Sequence, residues 1–372
     1  MKADRPLVIV HTEASCGWGG QDIRVLREAE WFRAQGHTVH LVTPPEAELF
    51  RRATAAGFTP VPMALKKNTE LGDFFRLRAL FKRLKPDVVG THSSVDSWVG
   101  LLAAKSAGVK CRLRYRHVST PVKPNFANRW QYKSLATHVI TTGDSICRHL
   151  GEVLGLSADR VTCVSSGIEA PAGLPDRDNA RKALAAQLGL PETVRFIGQV
   201  SVMRSWKGHA DLIAAFDRLA PEDANLHLAL VGGGNFTDSV KRTASASPHR
   251  DRIHFLGHRE NPWPDFLALD VCTLCSVSGE GIPQALMQAM LVGTPVVGTT
   301  VGGIPEVVVH DETGLLVPPA NPGALADAIR RIRSAPGETA ARVAAARERM
   351  RAERSPDNMG EAVTAIIRRN LA

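Results

Sequence analysis

Short runs of apolar residues alternate with segments of helical periodicity along the whole chain, and this alternation constrains the fold more than any other feature of the sequence. Such runs predict buried strands, and strands that alternate with helices build parallel sheets from β-α-β units. The first unit is typical, with a strand at 7–10, a glycine-rich turn, a helix from about Asp22 to Gln35 and a strand at 39–43. Gly36 follows that helix, in the position where a left-handed residue ends many helices.

The chain of 372 residues is long enough for two domains, each with its own hydrophobic core. A segment rich in proline and glycine, GIEAPAGLPDRD at 167–178, is typical of a linker between them. We therefore predict two Rossmann-like domains, one at 1–168 and one at 169–354. The last helix, 355–372, either packs back on the first domain or ends the second. The expected strands lie at 7–10, 39–43, 87–90, 111–115, 139–142 and 161–164, and then at 194–198, 226–231, 253–256, 271–275, 295–299 and 314–317.

Several classes of protein are excluded by the composition. The chain has no run of about 18 apolar residues, which excludes a membrane-spanning helix. The start, MKADRP, leads into only four apolar residues, too few for a signal peptide, so we expect a cytoplasmic protein. Six unclustered cysteines do not form a disulfide framework in a chain of this size.

The excess of positive over negative charge lies entirely in the first half of the chain. Lys and Arg number 46 and Asp and Glu 37, a net charge of +9. Residues 1–170 hold 24 basic and 15 acidic side chains, whereas the remaining residues hold 22 of each. Nucleic acid, an anionic membrane face or a phosphorylated substrate would each be attracted to this excess. Composition does not choose among these partners.

The densest cluster of chemically useful residues lies in the second half, where two Rossmann-like domains are expected to form a ligand cleft at their strand ends. Gly281 and Pro283 are expected to open a helix whose unpaired first-turn amides form a seat for phosphate or sugar oxygens. Glu280 precedes this seat, at the mouth of the expected cleft. Gln288 lies eight residues further on, about two turns along the same helix face, where its amide can reach a hydroxyl group.

This cluster resembles the donor-site signature of glycosyltransferase family 4, whose members have the GT-B fold of two facing Rossmann-like domains. The family pattern is a Glu, seven residues, a second Glu, and then Ala-Met, a Gly and Pro-Val-Val. Gln288 stands where the family has its second Glu. The residues that match the pattern are Glu280, Ala289-Met290, Gly293 and Pro295-Val296-Val297.

The resemblance implies roles for these residues. In the family the first Glu contacts the donor sugar and the second commonly holds the nucleotide ribose. It therefore implies a catalytic role for Glu280 at the sugar and a ribose contact for Gln288, whose amide still hydrogen-bonds a hydroxyl but carries no charge. The turn between them, Gly281, Ile282 and Pro283, is expected to contact the donor as well.

The stretch RSWKGH at 204–209 resembles the family's KGH helix start, where an Arg and a Lys hold the donor diphosphate. Lys207 matches that Lys, and Arg204 takes the place of the Arg, although it stands closer to the Lys than in the family pattern. Two cations beside a departing diphosphate stabilise the negative charge that grows as the glycosidic bond breaks. The resemblance therefore implies a diphosphate site at Lys207 and Arg204.

A glycine loop near the start, Trp18-Gly19-Gly20, resembles the family's N-terminal loop that faces the donor diphosphate. Glycine permits close backbone approach and leaves amides free at the start of a helix. Gly19 and Gly20 are therefore expected to bind the donor, and Trp18 the acceptor.

Histidines follow two neighbouring predicted strands of the first half. His92 matches the position of an active-site histidine near the sugar in the family, and His117 matches a further family histidine. One histidine at a strand end is usually a satisfied core residue, but two at neighbouring strand ends favour a site. We assign His92 to catalysis, and His117 to the acceptor together with Glu13, which follows the first strand.

The resemblance implies that 1–168 is the acceptor-binding domain and that 169–354 is the nucleotide-sugar-binding domain. Two groups of basic residues lie in the expected acceptor-binding domain. A helix at about 66–85 carries an apolar stripe flanked by Lys and Arg, which fits either an interfacial helix or a core helix with a solvated basic face. Members of the family often dock on the inner membrane to reach lipid-linked acceptors. Arg114 and Arg116 belong to the second group, which would bind a phosphorylated or acidic acceptor.

Two motifs with metal-like spacing are interpreted as structural. Cys272 and Cys275 have CxxC spacing, but no second ligand pair follows and the residues alternate along a buried strand. Asp176 and Asp178 have the DxD spacing of a different glycosyltransferase fold, but they lie in the linker before a helix that Asp178 is suited to cap. We expect no metal and no cofactor.

The resemblance implies a retaining, metal-independent glycosyltransferase that moves a sugar from a nucleotide-diphosphate donor to a hydroxyl of a glycan or glycolipid. The expected setting is cell-envelope polysaccharide or lipopolysaccharide synthesis, with the protein either free in the cytoplasm or peripheral on the anionic inner membrane. Nucleic acid is the least favoured partner. Two alternatives stay open: a nucleotide-sugar epimerase of the same fold, and a basic membrane- or nucleic-acid-binding module with a vestigial site.

Overall fold

The computed structural model describes residues 5–372, which form two compact units. The first unit comprises the residues up to Gly167 together with Arg354–Ala372, and the second is Ile168–Glu353. The division falls inside the segment rich in proline and glycine. The residues before Arg5, part of the start on which the expected cytoplasmic location rests, lie outside the described range.

The first unit is a seven-stranded parallel sheet covered by helices. Its strands are β1 Val8–Thr12, β2 Thr38–Thr43, β3 Val61–Pro62, β4 Val88–Thr91, β5 Cys111–Arg116, β6 His138–Thr141 and β7 Val161–Cys163. Its helices are α1 Gly20–Ala34, α2 Glu48–Ala55, α3 Glu70–Leu84, α4 Ser94–Ser106, α5 Phe126–Trp130, α6 Asp144–Leu154 and the C-terminal α15 Pro356–Leu371. The strand order β3-β2-β1-β4-β5-β6-β7 is that of a doubly wound, Rossmann-type sheet.

The second unit is a six-stranded parallel sheet with the same winding, in the order β10-β9-β8-β11-β12-β13. Its strands are β8 Arg195–Val200, β9 Leu226–Val231, β10 Ile253–Gly257, β11 Val271–Leu274, β12 Val296–Thr299 and β13 Leu315–Val317. Its helices are α7 Arg177–Gln187, α8 His209–Leu219, α9 Thr237–Ser245, α10 Trp263–Ala268, α11 Gln284–Val292, α12 Ile304–Val307, α13 Pro322–Ser334 and α14 Pro336–Glu353.

Both faces of the first sheet are covered, because successive residues of a strand point to opposite sides. Ile9 of β1 belongs to a core cluster with Met359 of α15, whereas its neighbour Val10 packs in a second cluster with Leu77 of α3. A strand that is buried on both faces must be apolar at nearly every position. This requirement explains why the sequence shows short continuous apolar runs rather than strict alternation.

All twelve strands expected from the sequence are present, with ends that shift by no more than two residues. The additional strand β3 consists of two residues, one of them Pro62, and is too short to produce a periodic pattern. Gly36 has a φ of +82°, as predicted for the residue that follows the first helix. One prediction was wrong, because α7 is capped by Asp176, which accepts from the N–H of Asn179, and not by Asp178.

Helix α3 divides between core and surface. Leu77, Leu80 and Phe81 are buried in the core of the first unit. Leu71 and Phe75, nearer the start of the helix, are 74% and 60% exposed. The apolar stripe expected from the sequence is therefore mainly a core stripe with two exposed apolar residues beside it. No helix within residues 5–372 combines the length and the apolar character needed to cross a bilayer.

The C-terminal helix α15 packs on α1 of the first unit. Met359 and Val363 join the core of that unit, and the indole N–H of Trp31 donates to the Asp357 carboxylate at 2.8 Å. Gly360 lies against the Trp31 ring, and a Cβ added there would be 2.1 Å from a ring carbon. Only glycine allows the two helices to approach this closely.

Replacing Gly360 with Ala is therefore expected to lower the free energy of unfolding by about 1–3 kcal/mol, the usual effect of overpacking. Gly337→Ala is the matched control, because that helical glycine has no neighbour within 4 Å of an added Cβ and the change is expected to be neutral or stabilising. Urea unfolding of both variants measures the difference. Equal stability of Gly360→Ala and the wild type would show that α15 does not need this close contact.

Candidate active site

The predicted donor residues of the second unit lie just after the carboxyl ends of two adjacent strands. Lys207 ends the short turn Ser205–Lys207 that follows β8, and Glu280 lies in the loop after β11. Lys207 Nζ donates to both carboxylate oxygens of Glu280, at 3.0 and 2.7 Å. The two side chains are 16% and 10% exposed, so the ion pair is largely shielded from water. Shielding makes this charge interaction stronger than a surface pair.

Glu280 is held from several directions. The Ser276 hydroxyl donates to its carboxylate at 2.5 Å, and the N–H of Gly303 donates to its carbonyl oxygen at 3.2 Å. Gly302 has a φ of +55°, and a Cβ at that position would be 2.0 Å from the same carbonyl oxygen. The two glycines therefore let a second loop pack directly against the backbone that carries the carboxylate.

A buried glutamine joins the turn of Lys207 to the strand before Glu280. The amide N–H of Gln199, in β8, donates to the Lys207 carbonyl oxygen, and its amide oxygen accepts from the Cys275 N–H, both at 3.0 Å. Gly208 has a φ of +65°, and a Cβ there would be 1.8 Å from the Cys275 carbonyl oxygen. These contacts fix the backbone of Lys207 against the segment that leads to Glu280.

The helix after Glu280 begins later than expected. Helix α11 starts at Gln284 with Pro283 as its N-cap, so neither Gly281 nor Pro283 is a helical residue. Gly281 and Ile282 are partly exposed and Pro283 is buried. Gln288 is 8% exposed and lies little more than one turn into the helix. The donor contacts assigned to these residues stay predictions.

Arg204 is exposed and precedes the turn of Lys207. Its guanidinium carbon lies 5.2 Å from the centre of the Trp206 ring, within the range of a cation–π contact. The side chain thus stacks on a tryptophan rather than on the Lys207–Glu280 pair. Its role at a diphosphate stays a prediction.

In the first unit, three histidines form a hydrogen-bonded row across the adjacent strands β1, β4 and β5. His11 Nδ1 lies 2.9 Å from His92 Nε2, and His92 Nδ1 lies 3.0 Å from His117 Nε2. The His92 ring also stacks on Tyr115 with 4.3 Å between ring centres. His11 and His92 are each 2% exposed, whereas His117 is partly exposed.

The row includes both histidines to which the sequence assigned a site. Both ring nitrogens of His92 are engaged by the other two histidines. Within residues 5–372, no hydrogen bond to Nδ1 of His117 is found. The catalytic role assigned to His92 and the acceptor contact assigned to His117 stay predictions.

Burial keeps the three imidazoles neutral. It lowers the pKa of His11, and it lowers the pKa of His92 and of His117 well below the usual range. The nearby charges of Arg24 and Arg114 lower the pKa of His92 and His117 further. Each ring therefore carries a single proton at neutral pH.

A fully buried ion pair lies at the other end of the row. Arg24 and Glu28, one turn apart on α1, are both 0% exposed, with Nε and Nη2 of the guanidinium each 3.3 Å from Oε2 of the carboxylate. The Tyr115 hydroxyl donates to Oε1 of Glu28, and His11 Nε2 lies 4.0 Å from the same oxygen. Removing one member of a buried ion pair leaves an uncompensated charge. We therefore interpret this pair as a fixed support for His11.

Three buried carboxyl groups lie around the glycine loop. Glu13 accepts from the Gln21 amide at 2.5 Å and from the Ser93 hydroxyl, and burial raises its pKa. Burial, with repulsion from Glu13, raises the pKa of Asp22 and of Asp96 to about 7. The acceptor contact assigned to Glu13 stays a prediction, since the structure shows its carboxylate bonded within its own unit.

The glycine loop forms the start of α1. Gly19 is the N-cap and its N–H donates to the Asp22 carboxylate at 2.9 Å, while Gly20 is the first helical residue. The Trp18 ring lies under the Arg52 guanidinium, 4.5 Å from ring centre to guanidinium carbon. The Asp22 carboxylate thus accepts from one of the amides that were expected to face a donor. The donor contacts of Gly19 and Gly20 and the acceptor contact of Trp18 stay predictions.

Arg114 is turned inward, and the acceptor contact assigned to it stays a prediction. It is 2% exposed, and its Nη1 donates to the carbonyl oxygen of His92 at 2.9 Å and to that of Tyr115. The guanidinium therefore supports the backbone after β4 from within the unit. Arg116 is partly exposed, donates to the Thr120 carbonyl oxygen, and has a pKa that burial lowers.

Sequence reasoning missed four members of these networks. His11 directly follows the first apolar run, 7–10, and the structure extends the strand through it. Gln199 likewise follows the expected strand at 194–198 and lies within β8. Glu28 and Arg24 have the i, i+4 spacing of an ordinary exposed helix pair, so only the structure shows that both are buried.

Solved structures that resemble this chain over almost its full length define its class. A glycosyltransferase from Rickettsia africae superposes with a TM-score of 0.87 at 21% identity, covering 99% of both chains. Anabaena HepE, in complex with UDP and glucose, superposes with a TM-score of 0.82 at 19% identity, covering 98% of this chain and 100% of that chain. The fold is therefore the GT-B fold of glycosyltransferases.

Two family models identify the particular family. The model for Glycosyltransferase Family 4 matches residues 18–170, and the model for Glycosyl transferases group 1 matches residues 176–350. The chain belongs to the group 1 glycosyltransferases of family 4. The D-inositol 3-phosphate glycosyltransferase of Corynebacterium glutamicum is 33% identical over 183 residues, 46% of this chain and 43% of that protein. The matched region thus spans less than half of that relative.

The raised pKa of Asp22 predicts a pH-dependent effect of Asp22→Asn. An unfolded Asp ionises near pH 3.9, whereas the folded group keeps its proton up to about pH 7. The native state therefore loses stability as pH rises from about 4 to 7, and Asn removes this loss while it still accepts from the Gly19 N–H. Relative to the wild type, the variant is expected to gain on the order of 2–4 kcal/mol of unfolding free energy between pH 4 and pH 8.

Urea unfolding at several pH values measures this gain. Asp159→Asn is the control, because Asp159 is exposed and a hydrogen bond from Ser157 lowers its pKa. Its difference from the wild type is expected to stay constant between pH 5 and pH 8. A pH-independent difference for Asp22→Asn would contradict the raised pKa.

Proposed function

We propose that this protein is a retaining glycosyltransferase that moves a sugar from a nucleoside-diphosphate sugar to a hydroxyl group of a glycan or glycolipid. The shielded Lys207–Glu280 pair carries the proposal. It lies at the carboxyl ends of β8 and β11, the adjacent strands at which the order of the sheet reverses, which is where ligands bind in sheets of this type.

The pair supplies the two kinds of group that such a donor requires. A lysine ammonium is a positive charge for the diphosphate that leaves, and a carboxylate accepts hydrogen bonds from sugar hydroxyl groups. In this proposal Lys207 holds the diphosphate and Glu280 positions the sugar. The complex of Anabaena HepE with UDP and glucose supports a donor of this class, since HepE shares the fold.

A basic first half supports an acidic acceptor. The excess of positive charge lies in residues 1–170, and the Corynebacterium relative is named for a phosphorylated acceptor, D-inositol 3-phosphate. We extend this to a phosphorylated glycan or glycolipid of the bacterial cell envelope, in polysaccharide or lipopolysaccharide synthesis. The protein would work in the cytoplasm or on the cytoplasmic face of the membrane.

Replacing Lys207 with Met is expected to weaken the binding of the matching nucleoside diphosphate about 10- to 100-fold, the range for a lost hydrogen bond to a charged group. Isothermal titration with UDP, GDP and ADP measures the change. Lys207→Arg keeps the charge and should retain most of the affinity. Lys182→Met is the matched control, because Lys182 pairs with Glu192 on the exposed surface of the same unit and should bind normally.

Unchanged affinity of Lys207→Met for the nucleoside diphosphate would show that Lys207 does not bind the diphosphate. The same protein is then assayed with the donor that binds, with and without candidate acceptors, and with excess EDTA because we propose that no metal is needed. Transfer that retains the anomeric configuration, read by NMR, supports the proposal. Isomerisation of the donor without an acceptor would favour the epimerase, and inversion would exclude the retaining reaction.

Helix α3 supports peripheral binding to an anionic membrane. Leu71 and Phe75 are exposed apolar side chains, and Arg76, Lys82 and Arg83 on the same helix are exposed cations. Apolar insertion combined with attraction to anionic lipid is how interfacial helices bind a bilayer. The other apolar residues of the helix are committed to the core, so any contact is confined to this small surface.

The double change Leu71→Ser and Phe75→Ser is expected to lower partitioning onto vesicles that contain phosphatidylglycerol by about tenfold or more, because each buried apolar side chain contributes about 1.5–3 kcal/mol. Vesicle sedimentation measures the partitioning. Phe236→Ser removes an exposed aromatic residue from the second unit and is the control. Binding of the wild type that depends on neither anionic lipid nor salt would contradict the membrane proposal.

A further inference from the structure

Three neutral imidazoles in a row can be hydrogen-bonded in only two ways. In the first, every ring is protonated on Nδ1, the protons point from His11 toward His117, and Nδ1 of His117 is a donor. In the second, every ring is protonated on Nε2, the protons point toward His11, and Nδ1 of His117 is an acceptor. The distances of 2.9 and 3.0 Å along the row fit both arrangements equally well. The groups at the two ends of the row must therefore determine which of the two arrangements forms.

We propose that the carboxylate of Glu28 selects the second arrangement and thereby makes Nδ1 of His117 a hydrogen-bond acceptor. Glu28 Oε1 lies 4.0 Å from His11 Nε2, a buried nitrogen without a hydrogen-bond partner in residues 5–372. A negative oxygen at this distance favours an N–H over a lone pair on that nitrogen. The nitrogen that carries the proton on one ring determines which nitrogen carries it on the next. A charge on α1 therefore determines the tautomer of a ring two strands away.

The surroundings of Glu28 keep its negative charge in place. Arg24 donates to Oε2 of the carboxylate and to the carbonyl oxygen of Val164, and the Tyr115 hydroxyl donates to Oε1. Both charged groups are 0% exposed. Water therefore screens the field of the carboxylate little, and its hydrogen bonds to Arg24 and Tyr115 hold it beside His11.

The row also requires that its members stay neutral. Burial lowers the pKa of all three histidines, and the charges that face the row from α1 and β5, those of Arg24 and Arg114, oppose protonation as well. An imidazolium would donate from both nitrogens and break the row at that position. The negative charge of Glu28 acts in the opposite direction, because it raises the pKa of His11.

The consequence for the reaction rests on the proposed function, whereas the direction of the hydrogen bonds along the row does not depend on it. An unprotonated ring nitrogen accepts a hydrogen bond from a hydroxyl group, the group that both a donor sugar and a glycan acceptor present. A protonated nitrogen would compete with such a hydroxyl as a donor. In this proposal His117 touches the substrate, and Glu28 and His11 are positioning residues that act through His92.

Histidine tautomers can be measured directly. In protein labelled with ¹⁵N-histidine, two-bond ¹H–¹⁵N spectra distinguish Nδ1 protonation from Nε2 protonation. The His117 signal, assigned by its loss in His117→Asn, is expected to show a protonated Nε2 and an unprotonated Nδ1 in the wild type at pH 7.5. A proton on Nδ1 of His117 in the wild type would overturn the proposal without any further variant.

Replacing Glu28 with Gln is expected to reverse the row. The amide oxygen must face the Arg24 guanidinium, so the amide N–H₂ faces His11 and favours a lone pair on its Nε2. The His117 signal should then change to a protonated Nδ1. Glu30→Gln is the matched control, because Glu30 is a half-buried carboxyl on the same helix outside the row, and its variant should keep the wild-type tautomer.

Transfer kinetics test the positioning role. The substrates are the donor and acceptor that the transfer assay identifies. With them, Glu28→Gln is expected to lower kcat by about 10- to 100-fold, the range for losing a residue that orients an imidazole. The KM for the donor is expected to stay within about twofold of the wild-type value. A lower melting temperature with an unchanged His117 tautomer would show a merely structural role, and a reversed tautomer with unchanged kcat would exclude the positioning role. If the wild type transfers no sugar, the proposed function fails while the wild-type tautomer still decides the direction of the row.

Discussion

A charge that is removed from water must be paired, and two shielded ion pairs organise the strand ends of this protein. In the second unit, Lys207 and Glu280 join the turn after β8 to the loop after β11. In the first unit, Arg24 and Glu28 lie behind His11 and, through it, behind the row of histidines. Losing one partner of a fully buried pair such as Arg24–Glu28 costs about 3–5 kcal/mol. Each pair therefore helps to hold the candidate site residues beside it in place.

Much of the fold and part of the site follow from the sequence because burial leaves a simple pattern. Parallel strands covered on both faces must be apolar, and each run is therefore visible against its polar flanks. The winding of the sheet then places β8 beside β11, so residues that follow these two strands must lie near each other. The meeting of Lys207 with Glu280 is a consequence of this topology and could be anticipated from the motif positions alone.

Other contacts depend on side-chain direction, which no periodicity records. Arg114 alternates with apolar residues in β5 as an outward-facing residue would, yet its guanidinium is turned back onto the carbonyl oxygens of His92 and Tyr115. The row of histidines depends on which nitrogen of each ring faces its neighbour. The packing of Gly360 on Trp31 depends on the distance between two helices far apart in sequence. Each of these requires the three-dimensional arrangement of at least two elements.

The positive charge of the first half and the chemistry of its strand ends are separate properties. The three histidines are neutral, and the carboxyl groups of Asp22 and Asp96 have a pKa of about 7, so the groups around the strand ends carry little net charge. The exposed cations lie elsewhere, for example on α3. In the proposed function, long-range attraction of an acidic acceptor would come from these exposed cations. Recognition at the strand ends would then depend on short, directional hydrogen bonds, whose strength depends on exclusion of water rather than on net charge.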